Sequence, residues 1–143
     1  MKRLFTILIL SVCCLSLLQA QTPKEKDLVI QMDKQMFLNK VFDYTTGATE
    51  WSYKGEKPAV IDFYATWCGP CRTMHPILEE LKKEKGDKLR IAKIDVDKHE
   101  ELAAKQRIQS IPTLMLYRKG ELLWRQSGVI SLSQLKSSIE KFL

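Results

Sequence analysis

The segment Cys68-Gly69-Pro70-Cys71 holds two thiols at a spacing that permits dithiol exchange. The attacking species in such exchange is a thiolate, whereas a free cysteine near neutral pH is mostly protonated. Cys68 stands between an apolar run at residues 59–65 and a segment with helical periodicity. It therefore falls at a predicted helix N-terminus, where unpaired backbone N–H groups and the positive end of the helix dipole favour a negative sulfur. Gly69 allows close approach, and Pro70 suits a first helical turn because no donor is needed there. Cys71, one turn on, can reach the Cys68 sulfur. The chemistry this supports is attack by Cys68 on a disulfide, a mixed disulfide, and release of the reduced product by Cys71. Asp62, alone among apolar residues in the preceding run, should have a raised pKa and could act as a base.

Other uses of the cysteines fit less well. A bridge stabilises more when it closes a longer loop, so this pair would make a poor structural staple. Structural zinc takes four ligands, and one Cys-x-x-Cys pair offers two. The chain's two histidines are His75 and His99, and the other cysteines, Cys13 and Cys14, lie near the start. Covalent haem attachment needs a histidine directly after the second cysteine, where Arg72 stands. His75 reads as a surface or boundary residue, Met74 and Met115 as core, and Trp51, Tyr53 and Trp124 as packing.

The elements that must position these residues follow from periodicity. Residues 28–30 form a brief strand candidate, and residues 33–42 read as a helix with Met36, Phe37 and Val41 on its apolar face. Residues 44–57 are a loop. The run at 59–65 suits a central strand covered on both faces. Met74, Ile77, Leu78 and Leu81 recur at helical spacing up to Gly86, a helix stop. Residues 89–96 form a second strand. Asp97-x-x-Glu100 has the pattern of an N-terminal capping box before a short helix. Residues 111–117 form a third strand, and Lys119-Gly120 turns the chain into a hairpin partner at 121–126. Ser131-x-x-Gln134 opens a last helix whose apolar stripe is Leu132, Leu135, Ile139 and Phe142. Strands alternating with helices, then a hairpin and a helix, indicate an α/β sandwich with a mixed sheet.

The chain has 143 residues, 45% of them hydrophobic and 28% charged, which suits one globular domain. Its net charge of +6 is spread among acids, as in Asp97-Lys98-His99-Glu100, and does not form a nucleic-acid stripe. Lys2 and Arg3 precede an apolar stretch at residues 4–18, with Ala20 at its end. This is the pattern of a secretory signal peptide, expected at 1–20 with cleavage after Ala20. A flexible lead at 21–27 and the folded domain at 28–143 would follow. An uncleaved anchor is an alternative, although the stretch is shorter than the roughly 20 residues a span needs. A lipid-modified Cys13 or Cys14 is another, without the expected small residue before it. In each version the folded part leaves the cytoplasm, for the periplasm, the medium or the outer side of a membrane.

The stretch Val60-Ile61-Asp62-Phe63-Tyr64-Ala65-Thr66-Trp67-Cys68-Gly69-Pro70-Cys71-Arg72 resembles the active-site segment of thioredoxins. Ala92-Lys93-Ile94-Asp95-Val96-Asp97 and Ile108-Gln109-Ser110-Ile111-Pro112-Thr113-Leu114 match two further blocks in the same order. The resemblance runs from about Leu28 to the C-terminus and implies a three-layer sandwich, a central mixed β-sheet flanked by helices. It implies that Asp62 is the buried carboxylate that handles the proton of Cys71, and that Lys93 pairs with it. Pro112 would follow a cis peptide bond facing the cysteines, and the backbone of Ile111 would pair with substrate. Trp67 would flank the site as an apolar platform, Gly69 and Pro70 would face the substrate, and Gly128 would line its groove. Pro76 would kink the helix. No cofactor is implied beyond the redox-active disulfide Cys68–Cys71, and no metal.

The expected activity is that of an exported protein-disulfide reductase acting on protein disulfide substrates. Its electrons would come from a membrane electron-transfer reductase, and a monomer is the default state. Competing readings are a disulfide-forming oxidase or isomerase, an assistant of cytochrome assembly, and a non-enzymatic interaction module of the same fold. Two departures from the family stand out. Tyr64 occupies a position where tryptophan is common, which should alter packing more than chemistry. The 44–57 loop is longer than the family needs and offers a partner surface or a plain connection.

Overall fold

The computed structural model describes residues 29–41, 43, 45, 57–119 and 121–143. The expected leader, Cys13 and Cys14, the lead at 21–27, Gly120, and Trp51 and Tyr53 with most of the 44–57 loop lie outside the described residues.

Strand β2 (Ala59–Tyr64) is the middle of a five-stranded sheet of order β1-β3-β2-β4-β5. Its neighbours are β3 (Arg90–Asp95), which runs parallel, and β4 (Thr113–Arg118), which runs antiparallel. β1 (Ile30–Gln31) adds a parallel edge on β3, and β5 (Glu121–Ser127) an antiparallel edge on β4. The sheet is therefore mixed, and the continuous apolar run of β2 is explained by cover on both faces. Side chains alternate between faces along each strand. Ala59, Ile61 and Phe63 of β2 join Ala92, Ile94, Met115 and Tyr117 in one core layer. Phe37 of α1 (Lys34–Lys40) and Leu102 of α3 (Glu100–Lys105) cover that layer. Val60, Ile91, Leu114 and Leu116 face the other way. There they meet Met74, Leu78 and Leu81 of α2 (Gly69–Lys85) and Leu135 and Ile139 of α4 (Leu132–Ile139). The three layers are those the resemblance implied.

Local signals set most boundaries. Asp33 caps α1 by accepting the Met36 N–H at 2.7 Å. Gly86 ends α2 with φ of +53°, a conformation that favours glycine. The helix runs through Pro76 without interruption. The Ser131–Gln134 capping box at α4 is complete, with Gln134 N–H on Ser131 Oγ at 3.3 Å and Ser131 N–H on Gln134 Oε1 at 3.0 Å. Replacing Ser131 by alanine removes that acceptor and should cost about 1 kcal/mol, read as a lower denaturant midpoint with unchanged slope. Met74 and Met115 are core residues, and Trp124 packs half-buried on the α2 side.

The capping box expected at Asp97-x-x-Glu100 is not formed. α3 starts later, with His99 as a cap that has no side-chain bond, because the Asp97 carboxylate is engaged by Trp67. The third strand also starts two residues later than its periodicity suggested. Ile111 and Pro112 belong to the loop before β4, and the bond between them is cis. Lys57, the last residue of the expected 44–57 loop, stands beside the start of β2. That is about 17 Å, at roughly 3.3 Å per residue, from the strand end that leads to Cys68.

Candidate active site

Cys68 leaves the end of β2 in an extended conformation and is the N-cap of α2, with Pro70 in the first turn. The Cys71 N–H donates to Cys68 Sγ at 3.2 Å. The two sulfurs are joined as a disulfide, with Cα atoms 5.3 Å apart. Exposure does not distinguish them, since Cys68 is 3% and Cys71 4% exposed. What distinguishes them is polarity: a backbone N–H and a helix N-terminus both act on the Cys68 sulfur, and both stabilise a thiolate there. Gly69 is helical, and a Cβ on it would meet only the Arg72 side chain, at 3.7 Å. Nothing within the fold demands glycine at that position, so its openness serves whatever approaches from outside.

Ile111 packs against the cysteine pair together with Ala65, and its carbonyl oxygen is 3.9 Å from Cys68 Sγ. A disulfide sulfur carries no proton, so this is a contact in the oxidised form, and the oxygen becomes an acceptor once Cys68 is a thiol. The Gly128 N–H donates to the Pro112 carbonyl at 2.8 Å, which brings the end of β5 against the cis-proline loop. Gly128 has φ of +84°, so a side chain there would strain the backbone that makes this bond. Trp67 is 67% exposed beside Cys68, and its ring is fixed by Nε1–H donation to Asp97 Oδ2 at 2.7 Å.

Asp62 lies on the other side of the pair. Alternation along β2 turns it toward α2, the helix that carries Cys71. It is 2% exposed, and Oδ1 has no hydrogen-bond partner among the described residues. Burial raises its pKa to about 7, against the opposing pull of the Lys93 charge. Lys93 is its register partner on β3. The Lys93 ammonium also sits 5.7 Å from the centre of the Tyr64 ring, and Tyr64 in turn donates its hydroxyl to Gln31 Oε1 at 2.9 Å. A cavity of about 350 Å³ opens here, lined by Asp62, Tyr64, Cys71, Arg72, His75 and Lys93 among others. It is large enough for several waters. Asp62 can therefore exchange protons with solvent from the same space that Cys71 borders.

The sequence-predicted residues thus divide into two groups about the disulfide. Ile111, Pro112 and Gly128 lie on one flank and Asp62 and Lys93 on the other, while Trp67, beside Cys68, is tied through Asp97 to the end of β3. Sequence reasoning missed Asp97, read as a helix cap, and it read Tyr64 and His75 without the cavity they line. His75 Nε2 is also 3.4 Å from Glu79. Among the described residues, no cluster of three metal-binding side chains occurs.

The thioredoxin family model matches residues 44–141. The chain is 42% identical over 99 residues to the thioredoxin of Bacillus subtilis, covering 67% of this chain and 95% of that one. It is 41% identical over 88 residues to the thioredoxin of Borreliella burgdorferi, covering 62% and 74%. Against the chloroplastic thioredoxin Y of Oryza sativa, 42% identity over 90 residues covers 63% of this chain and 54%, about half, of that longer relative. Among solved structures, the germline-specific thioredoxin Deadhead of Drosophila melanogaster superposes with a TM-score of 0.58 at 36% identity, covering 62% of this chain and 83% of that one.

Proposed function

The chain belongs to the thioredoxin family and is a thiol–disulfide oxidoreductase, and we propose that it works in the cell envelope as a reductant of protein disulfides. The observation that carries this reading is the Cys71 N–H donated to Cys68 Sγ at the N-cap of α2, with Asp62 buried on the Cys71 side. In the reduced protein the Cys68 thiolate attacks a substrate disulfide. One substrate sulfur bonds to Cys68, and the other leaves as a thiolate. Asp62, with a pKa of about 7, accepts the Cys71 proton. The Cys71 thiolate then attacks Cys68 Sγ, forms the disulfide seen here and frees the reduced product. Lys93 offsets part of the cost of charging Asp62. Trp67, Gly69, Pro70, Ile111, Pro112 and Gly128 form the surface against which an extended substrate segment lies.

The chain between Cys71 and Pro112 is occupied by α2, β3 and α3 with their connections. That leaves no room for the inserted helical domain of disulfide-forming relatives, and so favours the reductant. The envelope location rests on the leader-like residues 1–20. In that compartment the oxidised pair would be recharged by a membrane electron-transfer protein, with this chain acting as a monomer. Equilibrating the purified protein in defined thiol buffers measures the potential of the pair. A value near about −270 mV supports a reductant, and one near about −120 mV would make it a disulfide donor. Intact mass of the protein recovered from its native cells tests the location, since retention of all 20 leader residues on a cytoplasmic protein overturns it.

A further inference from the structure

The loop that presents Ile111 is fastened at both ends by β5. At its exit, Gly128 N–H holds the Pro112 carbonyl, and Thr113 Oγ1 lies 2.8 Å from Ser127 Oγ and donates to the Ser110 carbonyl at 2.7 Å. A threonine hydroxyl has one proton, so Ser127 is the donor in the pair. At its entry, α3 ends with the backbone N–H groups of Gln106, Arg107 and Ile108 bonded back to Leu102, Ala104 and Ala103. Arg107 then takes φ of +53°, which non-glycine residues seldom adopt. The carbonyls of Gln106 and Arg107 are left pointing outward at the negative end of the helix. Arg125 meets both: Nη1 donates to Gln106 O at 3.1 Å and Nη2 to Arg107 O at 2.7 Å. A planar guanidinium spans two successive carbonyls as a fork, which a lysine ammonium cannot do.

We propose that Arg125 is a positioning residue for protein substrates, setting the placement of the Ile111 backbone through the two carbonyls it clamps. This rests on the reading that an extended protein segment pairs with Ile111. Arg125 itself touches neither cysteine. A protein disulfide must find Ile111 in place as well as Cys68, whereas a small disulfide needs only the Cys68 sulfur. The clamp therefore favours protein disulfides over small ones.

The test compares Arg125→Met and Arg125→Lys with the wild type on two substrates, insulin and hydroxyethyl disulfide. Misplacement of a recognition group by a fraction of an ångström is expected to lower kcat/KM for insulin about fivefold in Arg125→Met, mostly through KM. The small disulfide should change by less than about twofold. Arg125→Lys, which keeps the charge without the fork, should fall between. Equal losses on both substrates, or no loss on insulin, overturn the proposal. If the wild type reduces the small disulfide but not insulin, it is the protein-substrate reading that fails. Amide exchange at Ser110 and Ile111 then decides for the clamp: faster exchange in Arg125→Met supports it, and unchanged exchange overturns it.

Discussion

Replacing Cys71 by alanine is expected to stop turnover and leave the protein bonded through Cys68 to its substrates. The intermediate after the first attack is a mixed disulfide on Cys68, and its release depends on a second thiol held within reach. Cys71 lies one turn into α2, with its backbone N–H already on the Cys68 sulfur. Well-oriented intramolecular partners act at effective concentrations of about 10⁵ M or more, so an external thiol at millimolar concentration is a poor substitute. Resolution should slow by at least about 10³-fold. Non-reducing mass spectrometry of Cys71→Ala, mixed with a protein disulfide, should show a stable adduct on Cys68. Cys68→Ala should show none. The two cysteines are almost equally buried, so their roles rest on the N-cap position and its hydrogen bond. An adduct on Cys71 in the Cys68 variant, with none on Cys68 in the Cys71 variant, would reverse the assignment. Unchanged binding of partners by a variant lacking both cysteines would instead favour a non-enzymatic module.

What could be read from the sequence was what depends on neighbours along the chain. Cys68 declared itself as an N-cap because an apolar strand stops before it and Pro70 fits a first turn. Asp62 was visible as one acid inside an apolar run, which gave its burial and raised pKa, while its place beside Cys71 came from the family resemblance. Gly86 and the Ser131–Gln134 box acted through contacts a few residues long, and both formed as expected. The cis bond before Pro112 came from the family resemblance, since the residues alone said only that a cis bond was permitted there. Asp97 shows where local reading fails. Its pattern with Glu100 describes a cap, but the carboxylate accepts instead from Trp67, 30 residues away in sequence, and the helix starts after His99. Arg125 is similar: an exposed cation on an edge strand looks like a solvated face, and its two partners are carbonyls 18 and 19 residues back. Tyr64 was expected to alter packing more than chemistry. Its ring instead forms a wall of the cavity through which Asp62 meets solvent, a role that alternation places on the right face but cannot specify.

Asp62→Asn should make the protein more stable and less able to resolve its mixed disulfides, both in a pH-dependent way. The native pKa of Asp62 is raised from 3.8 to about 7 by burial. Between those values the folded protein keeps a proton that the unfolded chain has released, so stability falls as pH rises through this window. The loss is complete above about pH 7 and amounts to about 4 kcal/mol for a shift of roughly three units. Asparagine carries no such charge. Its gain over the wild type should therefore be small at pH 4, grow through pH 5 and 6, and level off above pH 7, as read from denaturant unfolding of the oxidised form. A gain that does not change with pH would mean that Asp62 titrates normally. The kinetic effect has the opposite sign. Without a base beside Cys71, resolution near neutral pH should slow by about 10²-fold or more, the usual contribution of a positioned base. The difference should shrink at higher pH, where hydroxide deprotonates Cys71 directly. Lys93→Met tests the same linkage from outside the carboxylate. Removing the one charge that opposes the effect of burial should push the Asp62 pKa higher, and move the pH dependence of resolution upward with it. The same buried acid thus lowers stability at the pH where it supplies a base, which is a physical reason to find its Oδ1 without a hydrogen bond among the described residues, beneath a reactive disulfide.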